Sequence, residues 1–375
     1  MKRVNNRNLA VFLTTGALAL SLSACGQDAT ETNNGNSASP NSVKWEGNLA
    51  GAGASSQGAA MEAWTGEFIS SVVPGATVSY DPVGSGGGRK QFLSAGVQFT
   101  GSDSALKEEE LAEAENRCFG GEALELPLYI SPIAVVYNLP DVSAEHLNLD
   151  AKTIANIFNG TIKNWNDPAI AEQNEGVDLP DLAIIPVNRS DESGTTENFT
   201  EYLAATSEGA WSFEPSGDWP ITGTQSGDKT SGLIDTVKNA KGAIGYADAS
   251  RAGDLGTVAL KVGDEYVPFS PEAAAKVVDA SPRAADATDK RLVVDLDRNT
   301  TEAGAYPLVL ISYLIACERY DSQNDVDNVK NFFTFVASKE GQELASRPEI
   351  AGSAPISDDL RTEVQAAIDS ISVAK

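Results

Sequence analysis

Histidine is nearly absent from this chain: His146 is the only one among 375 residues, beside three cysteines and two methionines. Imidazole is the commonest metal ligand and the usual general base of serine hydrolases. Such chemistry would have to be built on one residue in SAEHLNLD, which reads as a polar surface stretch. Neither a histidine-based metal site nor a Ser-His-Asp arrangement is supported. Basic residues are the second shortage. Lysine and arginine number 27 against 53 aspartates and glutamates, a formal charge of −26, and the chain has no basic stripe of the kind that displaces counterions from a phosphate backbone. That argues against nucleic acid as a partner, and an anionic small ligand would need local donors that overcome an unfavourable overall field. Internal repeats are missing, and beyond the first 25 residues no apolar run is long enough to span a bilayer. The 41% hydrophobic content excludes global disorder and suffices for one large or two medium domains.

What is present begins with an address. Lys2, Arg3 and Arg7 precede the apolar LAVFLTTGALALSL, the pattern of a signal peptide over residues 1–24. Leu22-Ser23-Ala24-Cys25 resembles the lipobox of bacterial lipoproteins, which implies that Cys25 becomes a lipidated amino terminus on the extracytoplasmic face of the cell membrane. The alternative is a buried or disulfide-bonded Cys25. Removing residues 1–24 takes away three positive charges and no negative one, from −26 to −29. Cys118 and Cys317 then remain, in a compartment that permits a disulfide between them; two buried free thiols are the other reading. Residues 25–46 are rich in Asn, Ser, Thr and Gly and read as a flexible tether, whose roughly 20 residues span about 25 Å.

From Gly47 onward the pattern is α/β. TVSY (77–80), AIIPV (183–187), AIGYA (243–247) and RLVVDL (291–296) read as strands, and helices are expected over 57–72, with Met61, Trp64, Phe68 and Val72 on one face, and over 195–205, with Phe199, Tyr202 and Leu203. The proline-containing apolar segments 126–140 and 306–317 each suit a crossing between lobes.

GAGASSQ (51–57), GSGGGRKQF (84–92) and RSDESGTTENF (189–199) each set glycine and hydroxyls before an apolar period, as a helix start does. Singly, each is an ordinary N-cap after a glycine turn. Converging, their free N–H groups and hydroxyls would cradle an anion without any lysine. Nucleotide motifs do not fit: GAGASS lacks the last glycine of G-x-G-x-x-G, and GSGGGRKQ has Arg89 and Gln91 around its lysine where a phosphate loop needs Gly and Ser or Thr. Ser104 and Lys107 match S-x-x-K without its partner motifs. Arg189 offers a rigid fork of donors for two oxygens of an oxyanion, and Asp191 is placed to orient it; a surface salt bridge of Arg189 with Asp191 or Glu192, and solvent exposure of Asp191, are the plainer readings.

These motifs, with YDPVGSGGGRKQ (80–91), FTGSD (99–103), IFNGTIKNWNDP (157–168) and GAIGY (242–246), resemble the substrate-binding component of the high-affinity phosphate ABC transporter, from about Gly47 to Ser353. The resemblance implies a two-lobed periplasmic-binding-protein fold with a ligand cleft and two hinge crossovers, lobe I over 47–131 and 307–375 and lobe II over 132–306. It implies phosphate bound by Ser55, the backbone N–H of Ser56, Ser85, Arg189, Ser193, Gly194 and Thr195, with Asp191 bracing the arginine and Asp103 facing the ligand. Ser56 departs from the family's phenylalanine. A carboxylate against an anion is repulsive unless the ligand brings a proton, and a site that pairs a ligand hydroxyl rejects the analogue lacking it by roughly 10⁴ to 10⁵. Phosphate carries that proton and sulfate does not. The implied partners are inorganic phosphate, a membrane permease and the membrane through the lipid on Cys25, for a monomer with no cofactor, no metal and no catalytic residue. Binding of another oxyanion (sulfate, molybdate, arsenate) and a phosphatase or hydrolase activity are the alternatives.

Overall fold

The computed structural model describes residues 44–375; the signal peptide, Cys25 and all but the last three residues of the expected tether lie outside them. Lys44–Glu46 are docked. Trp45 packs on Phe68 with ring centroids 5.3 Å apart, and the carbonyls of Lys44 and Glu46 accept from Asn331 and Asn328.

The chain runs β1 (Asn48–Gly53), α1 (Gly58–Glu67), β2 (Thr77–Asp81), α2 (Ser85–Leu93), β3 (Phe99–Ser102), α3 (Glu108–Arg117) and β4 (Ala123–Tyr137). There follow β5 (Leu147–Leu149), α4 (Ala151–Phe158), α5 (Pro168–Ala171), β6 (Ile185–Arg189), α6 (Gly194–Thr206), β7 (Gln225–Gly227), α7 (Lys229–Asn239) and β8 (Ala243–Asp248). β9 (Gly256–Val262), β10 (Glu265–Val267) and α8 (Pro271–Ala280) lead to β11 (Val309–Cys317), and β12 (Arg319–Tyr320), α9 (Gln323–Ala337), α10 (Lys339–Ser346), α11 (Asp358–Ser370) and β13 (Ser372–Val373) complete it. Hydrogen bonding links the strands in the order β2-β1-β3-β11-β4-β8-β6-β7.

β4 and β11 are the apolar runs, buried along their whole lengths, as continuous hydrophobic strands covered on both faces must be. Residues 123–132 of β4 pair antiparallel with β11, whereas 133–137 pair with β8, so one strand passes from one half of the sheet into the other. Pro127 has no N–H to give β11, and the register shifts there, between Ser312 and Tyr313. Pro127 also explains why RLVVDL forms no strand. Glu125 N–H donates to the Lys290 carbonyl and Leu292 N–H to the Glu125 carbonyl, but the next donor a parallel ladder needs would be at 127. Only isolated bridges form at Arg291 and Val294, and Arg291 turns onto the buried Glu125, Nε to Oε2 2.5 Å.

AIIPV begins its ladder two residues late, because Ala183 bridges to Asn164 and β6 meets β8 from Ile185 onward. The helix over 57–72 is α1 followed by a π-turn over Phe68–Val72, which keeps Phe68 against Phe332 and Phe335. SAEHLNLD is no simple surface stretch. Its Leu-x-Leu alternation places Leu147 and Leu149 in the core on β5, and His146 Nδ1 lies 2.7 Å from Thr257 Oγ1. Cys118, after α3, and Cys317, at the end of β11, form a disulfide that closes a sequence separation of 199. Among the described residues no helix is long and apolar enough to cross a membrane.

Candidate functional site

β1, β2 and β3 are parallel, so the segments that leave their carboxyl ends share one edge; β6 and β7 do the same in the other half of the sheet. Open α/β sheets place ligands outside carboxyl ends of this kind. Ser55 and Ser56 leave β1 toward α1, Ser85 opens α2, Asp103 follows β3, and Arg189 ends β6 with Ser193 capping α6 and Thr195 in its first turn. Every one of these side chains is buried.

The two sets meet. Arg189 Nη2 reaches Ser55 Oγ at 3.3 Å, and Thr195 Oγ1 donates to Asp103 Oδ2 at 2.8 Å. Asp103 N–H donates to Ser85 Oγ at 3.1 Å, which leaves the Ser85 hydroxyl proton free to face outward from that bond. Gly194, first in α6, packs so closely that an added Cβ would stand 2.7 Å from both Asp103 Cβ and Ser85 Oγ. Gly84 answers a different demand: its φ is 93°, and a Cβ there would lie 2.6 Å from Asp191 Oδ2.

Asp191 holds the guanidinium by two bonds, Nε to Oδ1 at 2.8 Å and Nη2 to Oδ2 at 2.5 Å, and accepts a third from Lys229 N–H at 2.9 Å. Burial acts to raise its carboxyl, but Arg189 and the N–H donor outweigh it and hold the group below the usual range. Asp103 is the reverse. Burial pushes its carboxyl up, against hydroxyl donors from Ser56 and Thr195 and the charge of Arg189. Ser193 Oγ accepts from Thr196 N–H at 3.2 Å as an N-cap, so its own proton is unspent by that bond.

Other contacts go beyond the expected ones, through a different atom of Ser56, expected for its backbone N–H, and through residues not expected at all. Ser56 engages through its hydroxyl, which donates to Asp103 Oδ1 at 2.6 Å. Thr230 lies 2.9 Å from Ser55 Oγ through its own hydroxyl and donates its N–H there at 3.2 Å. Its segment, GDKTSG, carries the same glycine and hydroxyl signature of a helix start that marked the other three. Asn198 Nδ2 donates to the carbonyls of Asp103 and Gly194, and Tyr246 Oη accepts from Arg189 N–H at 3.3 Å. Glu192 bridges the halves by reaching Arg89 at 3.1 Å and Lys90 at 2.7 Å, while Glu110 pairs with Arg89 from the other side. A cavity of about 960 Å³ touches Asp103, but its lining contains neither Ser55, Ser85, Arg189 nor Thr195 and includes Glu197, Glu201, Asp295 and Asp297, an acid-rich wall that disfavours an anion. Among the described residues no cluster of His, Cys, Asp and Glu could hold a metal ion.

A profile of the PBP superfamily domain matches residues 27–340. Phosphate-binding protein PstS 3 of Mycobacterium tuberculosis is 34% identical over 375 residues, 98% of this chain and 99% of that protein. The chain belongs to the phosphate-binding protein family of the PBP superfamily. PstS of Pasteurella multocida, at 31% identity, covers 85% of the chain and 89% of its own length. The fold matches that of the high-affinity periplasmic phosphate-binding protein PfluDING, a structure bound with phosphate, at a TM-score of 0.67 and 20% identity over 85% of this chain and 93% of that one. The family's mixed α/β architecture is therefore that of this protein.

Proposed function

We propose that this protein binds inorganic phosphate outside the cytoplasm and delivers it to the permease of an ABC transporter, held near the membrane by lipid on Cys25 after loss of residues 1–24. One observation carries the reading. A guanidinium, a carboxylate and the hydroxyls of Ser55, Ser85 and Thr195 are gathered at one buried point by segments far apart in the chain, with Ser193 buried as the N-cap of α6 two residues before Thr195. Donors in that number suit an oxyanion, and Asp103 among them suits an oxyanion that keeps a hydrogen. Charge-assisted hydrogen bonds contribute about 1.5–3 kcal/mol each, and micromolar affinity requires about 8 kcal/mol, so half a dozen suffice after ordering and desolvation.

Lobe I comprises 47–131 and 307–375 and lobe II 132–306, with β4 and the segment before β11 as hinges; closure brings Arg189 to Thr195 onto Ser55, Ser85 and Asp103. The closed monomer is the form that docks on the permease. Family membership, the PstS names of its relatives and a phosphate-bound neighbour of the same fold support this assignment. Calorimetry on the full chain in detergent, with phosphate titrated alone and against sulfate, tests it. Phosphate is expected to bind tighter by several orders of magnitude; equal competition by sulfate would defeat the role given to Asp103.

A further inference from the structure

Ser56 stands where the resemblance leads one to expect phenylalanine, whose part would be confined to its backbone N–H. Here the side chain is polar, fully buried, and 2.6 Å from Asp103 Oδ1. Thr195 Oγ1 takes the other carboxylate oxygen at 2.8 Å, so a hydroxyl proton points at each oxygen. Hydroxyls donating to both oxygens favour a carboxylate that accepts over a carboxylic acid that donates. Phenylalanine at 56 would supply neither proton nor orientation.

We propose that the Ser56 hydroxyl is a specificity-determining positioning residue: it holds Asp103 as a hydrogen-bond acceptor and so enforces the demand for a ligand that brings its own hydrogen. The proposal rests on the phosphate reading and deepens it. Burial works against the acceptor state of Asp103, and the groups facing it are few. They are Arg189 at the end of β6, which favours the anion, the neutral Tyr80 hydroxyl from β2, itself held protonated by burial and by Asp103, and the uncharged hydroxyls of Ser56, Thr195 and Ser312. Removing one hydroxyl donor shifts this balance toward a protonated Asp103 that can donate to sulfate.

The test is Ser56→Ala, Asp103→Asn and the double variant, each as the full chain in detergent, with phosphate and sulfate affinities measured from pH 5 to 9. Dividing each variant by the unaltered protein at the same pH cancels the ligands' own titration. Ser56→Ala is expected to shrink the phosphate/sulfate ratio by about 10- to 100-fold, the value of one hydrogen bond to a charged group, most strongly toward pH 5. In the Asp103→Asn background the same change is expected to leave the ratio unmoved, since Ser56 acts through Asp103. An unchanged ratio and pH profile in Ser56→Ala, or an equal loss in both backgrounds, overturns the proposal while leaving phosphate binding intact. Failure of the unaltered protein to prefer phosphate overturns both.

Discussion

Gly194→Ala separates closure of the site from stability of the fold. A Cβ at 194 would lie 2.7 Å from Asp103 Cβ and from Ser85 Oγ and 3.1 Å from the Asp103 carbonyl carbon. Carbon atoms in contact stand about 3.5–4.0 Å apart, so the start of α6 must withdraw by roughly 1 Å. The bonds spanning that gap are short: 2.8 Å from Thr195 to Asp103 and 2.7 Å from Asn198 to the Asp103 carbonyl. One ångström takes each past 3.5 Å, where it no longer counts as a hydrogen bond. Losing the charge-assisted Thr195–Asp103 bond together with the neutral Asn198 bond beside it costs about 3 kcal/mol of the closed state, roughly 100-fold in affinity.

The same substitution has the opposite sign without ligand. Alanine in the first turn of a helix is favoured over glycine by up to about 1 kcal/mol, and under the proposed closure the lobes part without ligand and relieve the clash. Calorimetry should show phosphate affinity falling about 100-fold, while the ligand-free unfolding midpoint is unchanged or higher. The stabilisation gained from a fixed excess of phosphate should drop by about 2.7 kcal/mol. An affinity within threefold of the unaltered protein would show that α6 does not close on Asp103 and Ser85. A large fall in the ligand-free midpoint would show that the contact belongs to the permanent core, and would sink the closure argument equally.

Arg189→Ala should weaken phosphate binding by about 2–5 kcal/mol, since it removes one partner of a buried charged pair and leaves Asp191 uncompensated; unchanged affinity by calorimetry, with native circular dichroism, would move Arg189 out of the site. Burial raises the Asp248 carboxyl to about 6 against its bonds from Ser250, Ser131 and Tyr129. Its contribution to stability is therefore fully present below its unfolded value of 3.8 and lost as the pH rises through about 6, about 3 kcal/mol in all. Denaturant titrations at pH 4 to 7 should show this decline in the unaltered protein and not in Asp248→Asn, and identical slopes would refute it. Replacing Cys118 and Cys317 together with serine should lower stability by about 2–5 kcal/mol and leave phosphate affinity alone; an unmoved denaturant midpoint would deny the bond a stabilising role.

The helix starts were legible because they are local. Glycine and hydroxyls ahead of an apolar period are contiguous in sequence, and α1, α2 and α6 open within a residue or two of where GAGASSQ, GSGGGRKQF and RSDESGTTENF place them. The strands of TVSY and AIGYA were legible for the same reason. RLVVDL was misleading because its partner decides its state: the pattern suits a strand, but Pro127 on the neighbouring strand β4 withholds the next donor. Asn198 on α6 and Tyr246 on β8 carry no signal of their own, since an interior polar residue on a helix or strand declares its purpose only through what faces it, and Glu192, in the loop before α6, declares its own only through Arg89 and Lys90. Thr230 is the exception. GDKTSG bears the signature already in use, and a fourth helix start could have been read beside the other three.

The side chain of Ser56 shows how a departure from a family pattern is best weighed. Judged by bulk alone it is a loss, an aromatic wall replaced by a small polar group. Judged by its partner it is a gain of function in the one place where charge needs control. The formal charges at the site nearly cancel: Asp191 neutralises Arg189, and Glu110 and Glu192 together neutralise Arg89 and Lys90. Asp103 is left over, a negative charge in the path proposed for the anion, in a chain already at −26. In the proposed site, net attraction therefore comes from neutral dipoles, hydroxyls and backbone N–H groups whose reach is a single hydrogen bond. Arg89 and Lys90 of the second motif are turned onto Glu110 and Glu192, which leaves Arg189 as the one cationic donor reaching the serines and threonines gathered there. Dipoles of that kind also make the state of Asp103 decisive, because no surplus of positive charge is present to mask an acceptor turned donor.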